Sequence, residues 1–193
     1  LITGIIMMTV ITLLSVVTGV NSISVCSSIN IGIILLYLLG FFVQGMSEEF
    51  IFRGYLMTTI GGHHSAWLAL AISSGAFAFA HVFNPGFNGL SCINLAMFGM
   101  FAGLYMICFN DIWGVCGIHS IWNFMQGNFY GISVSGTGNT ESVFRTTSQT
   151  SYSWLNGGDF GIEGSIFTTI VLLSGIVLIL IKIRKNQNKE ELS

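Results

Sequence analysis

The chain has 193 residues, 52% of them hydrophobic and only 7% charged, with a mean hydropathy of +0.78 and a net charge of −2. Soluble domains carry about 25% charged residues, so the composition excludes one and indicates a single integral-membrane domain over residues 1–193. No basic face is present to bind nucleic acid, and one Pro with 24 Gly suits close-packed helices better than the alternating strands of a β-barrel.

Residues 1–20 form an apolar run that, at about 1.5 Å per residue, is long enough to cross roughly 30 Å of hydrocarbon. The chain begins with Leu, as expected of a fragment or of a chain lacking its natural start. Residues 21–28 read as a short polar turn. A second apolar run begins at Ile29 and reaches Gln44-Gly45-Met46-Ser47. There the chain either continues as one long helix through Ile60 or breaks at Gly45, with Ser47 capping a new helix. The break is the expectation, because Ser ahead of two Glu residues is a strong helix start and because it sets Glu48 level with His81. Gly61-Gly62-His63-His64 then turns the chain, and residues 65–83 read as a span stopped by Asn84-Pro85-Gly86.

A further span runs from Ile93 to Phe109. It carries Gly99 and Gly103, a G-x-x-x-G pair that lets helix backbones approach. Asn110 and Asp111 form a tight connection with Asp111 placed as a cap, and Ile112 to Tyr130 is the next span. Residues 131–165 change abruptly to a polar loop rich in Gly, Ser and Thr, a length that is usually functional or disordered. Its Tyr152, Trp154 and Phe160 are expected at the membrane interface. Ile166 to Ile181 is the last span. The charged tail 182–193 holds four of the six basic residues, which by the positive-inside rule puts the C-terminus in the cytoplasm. The expected architecture is all-α, a polytopic bundle of six to seven transmembrane helices. Cys26, Cys92, Cys108 and Cys116 lack metal or redox spacing and read as packing residues.

Polarity inside this bundle is sparse and concentrated. Glu48, Glu49 and Arg53 are the first charges in the chain, and no Asp, Glu, Lys or Arg follows until Asp111. At a bilayer centre each such group costs about 2.5–3.5 kcal/mol, a cost kept mainly where charges pair or do chemistry. Glu49 and Arg53, four apart, share a helix face and can pair. Glu48 is turned about 100° away without a sequence-local partner, as a general base would be. His81 on one span, with Phe77 four residues earlier, and the His119–Asn123 pair on another supply matching groups. Such residues serve equally in a buried ion cluster that only holds helices together, or in a proton relay of Glu48, His81 and His119 through a transporter or channel.

In this order, Glu48-Glu49-x-x-x-Arg53-Gly54, Phe77-x-x-x-His81 and His119-x-x-x-Asn123 resemble the three motifs of the CPBP (CAAX protease and bacteriocin-processing, or Abi) family, which includes the type II CAAX prenyl proteases. The motifs cover residues 40–130, which the resemblance marks as a catalytic core. It implies an intramembrane endopeptidase in which Glu48 and His81 activate water and His119 and Asn123 stabilise the oxyanion. Glu49, Arg53 and Phe77 would support the site. The family is also described as metalloendopeptidases, for which Glu48, His81 and His119 would be the Zn²⁺ ligands. A metal-free site with no cofactor is the favoured expectation. The implied partners are membrane lipid and a peptide or protein substrate, lipidated or not, and the implied location is the cell membrane. A catalytically silent immunity or scaffold protein of the same family is the remaining alternative. Two departures stand out: Gly45 occupies the place of a Pro before the first motif, and His63-His64 the place of basic residues after it.

Overall fold

Several helices in this chain begin where the sequence supplies a capping side chain. Asn30 accepts from the Ile33 amide (3.2 Å), Ser65 from Leu68 (3.3 Å) and Asp111 from Gly114 (3.0 Å). Asn88 and Ser91 cap each other reciprocally. Each such bond satisfies a backbone N–H that the helix leaves orphaned, which matters more in lipid than in water.

The structure, a computed structural model, describes residues 1–138 and 141–190. Its order is α1 (Ile2–Val17), β1 (Asn21–Val25), α2 (Ile31–Glu49), a π-helical stretch (Phe50–Met57), α3 (Thr58–Gly61), α4 (Ala66–Phe79), α5 (Gly89–Phe109) and α6 (Ile112–Phe124). A second π-helical stretch (Met125–Phe129), β2 (Phe144–Ser148), the single turn α7 (Ser153–Asn156) and α8 (Ile166–Glu190) follow. The fold is an all-α bundle. Ile31–Gly61, Gly89–Phe109 and Ile166–Asn188 are long and apolar enough to cross a membrane, while Ile2–Val17 and Ala66–Phe79 are apolar but shorter. Helix α2 packs along α6, α4 along α5, and α5 along α8, with α1 closing the side against α6 and α8. Phe77, Phe98, Phe101, Leu104, Trp122 and Leu172 are buried where these helices meet.

The expected break at Gly45 does not occur: α2, the π stretch and α3 form one helix over Ile31–Gly61. Ser47 caps nothing and instead donates to the Gln44 carbonyl within the helix (2.8 Å). Gly45 serves packing, since a Cβ there would lie 2.6 Å from Ser120 Oγ and 2.9 Å from Ser120 N on α6. Glu48 precedes the turn after Gly61 by about as many residues as separate that turn from His81, roughly 20 Å along each axis, whether or not the helix is broken. Helix α4 also stops sooner than expected, at Phe79, leaving His81 in the turn beyond it.

Residues 21–28 are more than a turn. β1 pairs antiparallel with β2, from Asn21↔Ser148 to Val25↔Phe144, so the first polar connection is tied to the long segment 131–165. Within that segment, side chains stand in for regular structure: Gln126 Nε2 donates to Ser133 O (2.6 Å), Thr146 Oγ1 to Tyr130 O (2.6 Å), and Asn94 Nδ2 to Glu163 O (2.7 Å) and Ser165 O (2.8 Å). Tyr152 and Trp154 are exposed, but Phe160 is fully buried against Phe87 and does not reach an interface. The four cysteines are free.

Candidate active site

Two of the three motifs meet at Glu49. Its Oε1 accepts from Arg53 Nη1 at 3.0 Å and lies 2.7 Å from His119 Nδ1, with the Glu49 and Arg53 side chains fully buried. Arg53 also lies over the Phe77 ring, 4.5 Å from its centroid. A cation–π contact of this kind is stronger once desolvated. Phe77 and Phe98 flank the His119 ring edge-on, with centroids 5.8 and 5.0 Å away. Gly99 lets α4 and Arg53 come close to α5, since a Cβ there would lie 2.8 Å from Ser74 Cα and 3.1 Å from Arg53 Nη2. Both π-helical stretches abut the motifs, one directly after Glu49 and the other two residues after Asn123. The wide turn leaves the Phe52 carbonyl to accept from Ser73 Oγ of α4 (2.7 Å). Such turns recur at functional sites, and no residue pattern in the sequence announced them.

Glu48 faces the other way, into a cavity. Its Oε1 accepts from Gln44 Nε2 (2.7 Å), and Gln44 Oε1 accepts from Asn123 Nδ2 (2.9 Å). The carboxylate can only accept, so the Gln44 amide is oriented and Asn123 must donate. Glu48 therefore does have a partner on its own helix, one turn earlier, which the sequence reading missed; a Gln four residues before a buried Glu is the signal that could have found it. Glu48 Oε2 is buried without a hydrogen-bond partner and lies 3.9 Å from His119 Nε2. His81 comes to the same place. Its Nδ1 lies 2.8 Å from the Phe77 carbonyl at the end of α4, so Nε2 is the nitrogen left for chemistry.

Glu48, Gln44 and His81 line one cavity of about 570 Å³ together with Phe41, Phe52 and Ser135. Behind it lies a space of about 20 Å³, lined by Gln44, His81, His119, Asn123, Ser135 and Glu163, enough for one water molecule. The three motifs thus converge on adjoining cavities. His119 Nδ1 is bonded to Glu49 and Asn123 Nδ2 donates to Gln44, which leaves His119 Nε2 and a second Asn123 amide hydrogen outside these two bonds. Ser135 and Glu163, both in the polar segment, were not anticipated. Nothing in a Gly- and Ser-rich stretch distinguishes one acid from a solvated one.

Glu48, His81 and His119 have suitable donor chemistry, yet among the described residues no three His, Cys, Asp or Glu side chains are grouped to hold an ion.

Fold and site together define an integral membrane protein with a cluster of acid, guanidinium and imidazole groups enclosed in its helical bundle. Residues 30–125, which contain all three motifs, match the family model described as type II CAAX prenyl endopeptidase Rce1-like. The chain belongs to this CPBP/CAAX protease family. No curated protein and no solved structure matches it.

Proposed function

We propose that the protein is an intramembrane endopeptidase that cleaves a peptide bond with water activated by Glu48 and His81. One observation carries the reading: an acid on α2 and an imidazole in the turn after α4 line the same cavity, and one oxygen of that acid has no hydrogen-bond partner. Glu48 Oε2 takes a proton from water, the resulting hydroxide adds to the peptide carbonyl, and the proton passes to the departing amine as the C–N bond breaks. Stabilising the oxyanion falls to His119, which as an imidazolium donates from Nε2 while Nδ1–H stays on Glu49, and to the second amide hydrogen of Asn123. Donors preorganised in this way supply several kcal/mol of transition-state stabilisation. Gln44, Glu49, Arg53 and Phe77 hold these groups in place.

The reaction assigned here uses no metal or other cofactor. The substrate is a peptide or protein reached from the lipid, lipidated or not, whose apolar side chains suit the aromatic wall of Phe41 and Phe52. The protein resides in the cell membrane with its C-terminus in the cytoplasm, as the four basic residues of the tail support. Cleavage of quenched-fluorescent peptides by the protein in proteoliposomes tests the reading. Glu48→Gln and His81→Ala should each lower kcat/KM by about 10³-fold while leaving insertion and unfolding temperature unchanged. Retained cleavage in either variant refutes it.

A further inference from the structure

Glu163 lies outside the family-matched residues and outside all three motifs, yet it is 92% buried from solvent and lines the small cavity with His81, His119 and Asn123. Its Oε2 accepts from both the backbone N–H (2.8 Å) and the hydroxyl (2.9 Å) of Ser135, and its Oε1 accepts from Trp122 Nε1 (3.3 Å), one residue before Asn123. Ser135 is held from its other side as well, its carbonyl accepting from Asn84 Nδ2 (2.9 Å) in the turn that carries His81. Its φ of 47° is a left-handed conformation that a non-glycine residue keeps only when its surroundings impose it. Next to it, Gly136 passes so close to the turn that a Cβ would lie 2.2 Å from the Pro85 carbonyl oxygen. Ser135 lines both the large cavity, with Glu48, and the small one.

Building on the protease reading above, we infer that Glu163 is a positioning residue: acting through Ser135, it holds residues 133–138 as the roof of the substrate cavity. The chemistry of the tether calls for a carboxylate. The Trp122 indole and the Ser135 backbone can only donate, so the residue between them must accept at both oxygens. A glutamine in either orientation sets an NH₂ group against one of those donors. Glu48, Glu49, His81 and His119 have partners of their own, so loosening the roof alters how a peptide is held before it alters the chemical step.

The test uses the full chain in proteoliposomes, with the quenched peptide from a mixed-sequence library that the wild-type protein cleaves fastest. Glu163→Gln should raise KM about tenfold with kcat within twofold, and hydrogen exchange of the Ser135–Thr137 amides should quicken at least tenfold. Ser135→Ala keeps the backbone bond and loses the hydroxyl one. It should raise KM about two- to threefold, and the double variant should be no worse than Glu163→Gln alone. If Glu163→Gln does not fold, Ser135→Ala carries the test by itself. A fall in kcat at unchanged KM, unchanged exchange, or additive effects in the double variant would each overturn the inference. So would faster exchange with KM unmoved. No cleavage by the wild-type protein would overturn the protease reading and the positioning role together, with exchange still reporting whether the tether exists.

Discussion

Gly45 of α2 and Ser120 of α6 touch backbone to backbone, so closely that a Cβ on Gly45 would sit 2.9 Å from the Ser120 amide nitrogen. This contact lies one turn before Glu49 and one residue after His119, and so sets the spacing at which Glu49 reaches His119. Gly45→Ala should force the helices apart, cost about 1–3 kcal/mol by overpacking, and lower activity through a displaced His119. Gly75→Ala on α4, where a Cβ meets nothing within 4 Å, should instead leave stability equal or raise it by up to about 1 kcal/mol. Thermal unfolding of both variants in detergent checks the contrast.

The Glu49–Arg53 pair is fully buried, so its two halves are not equivalent to their joint replacement. Arg53→Ala leaves a carboxylate in the bundle without its cation, a change that costs about 3–5 kcal/mol. The double replacement Glu49→Gln with Arg53→Met removes both charges and should unfold at a higher temperature than Arg53→Ala. Should the single variant prove the more stable of the two, the pair is not the structural centre of the motif.

Gln44 touches no peptide bond in the proposed reaction but joins Glu48 to Asn123. Gln44→Leu keeps the bulk and removes both hydrogen bonds. Cleavage rates should fall about 10- to 100-fold in kcat with KM within threefold, since the base and an oxyanion donor both lose their orientation. A change confined to KM would mean that Gln44 acts as cavity wall only.

Because Glu48, His81 and His119 are not grouped as metal ligands, cleavage should persist after prolonged dialysis against a strong chelator, and purified active protein should hold far less than one zinc per chain. Stoichiometric zinc lost in step with activity, and activity restored by adding it back, would contradict this.

Phe160 is fully buried, pressed edge-on against Phe87 near the turn that carries His81. Phe160→Ala should cost about 3–5 kcal/mol, as removal of a core aromatic does, and not the few tenths expected of a loop residue at a membrane interface. The shift in unfolding temperature decides.

Much of this protein is legible in the sequence alone. Membrane residence, the all-α class, the Asp111 cap and the Glu49–Arg53 pair follow from composition and from spacings of three or four residues, which local geometry converts directly into contacts. Glu48, His81, His119 and Asn123 could be singled out because so few polar groups compete with them inside an apolar chain. Tertiary structure decided the rest. Gly45 signals either a break or a close approach, and only the presence of α6 chooses the second. β1 could not be recognised because its partner lies more than a hundred residues away. Glu163 looks like any loop acid until Ser135 and Trp122 close on it. A residue's local neighbours limit the conformations it can adopt, but which donor or backbone it meets depends on segments distant in the chain, and that is settled only when the bundle packs.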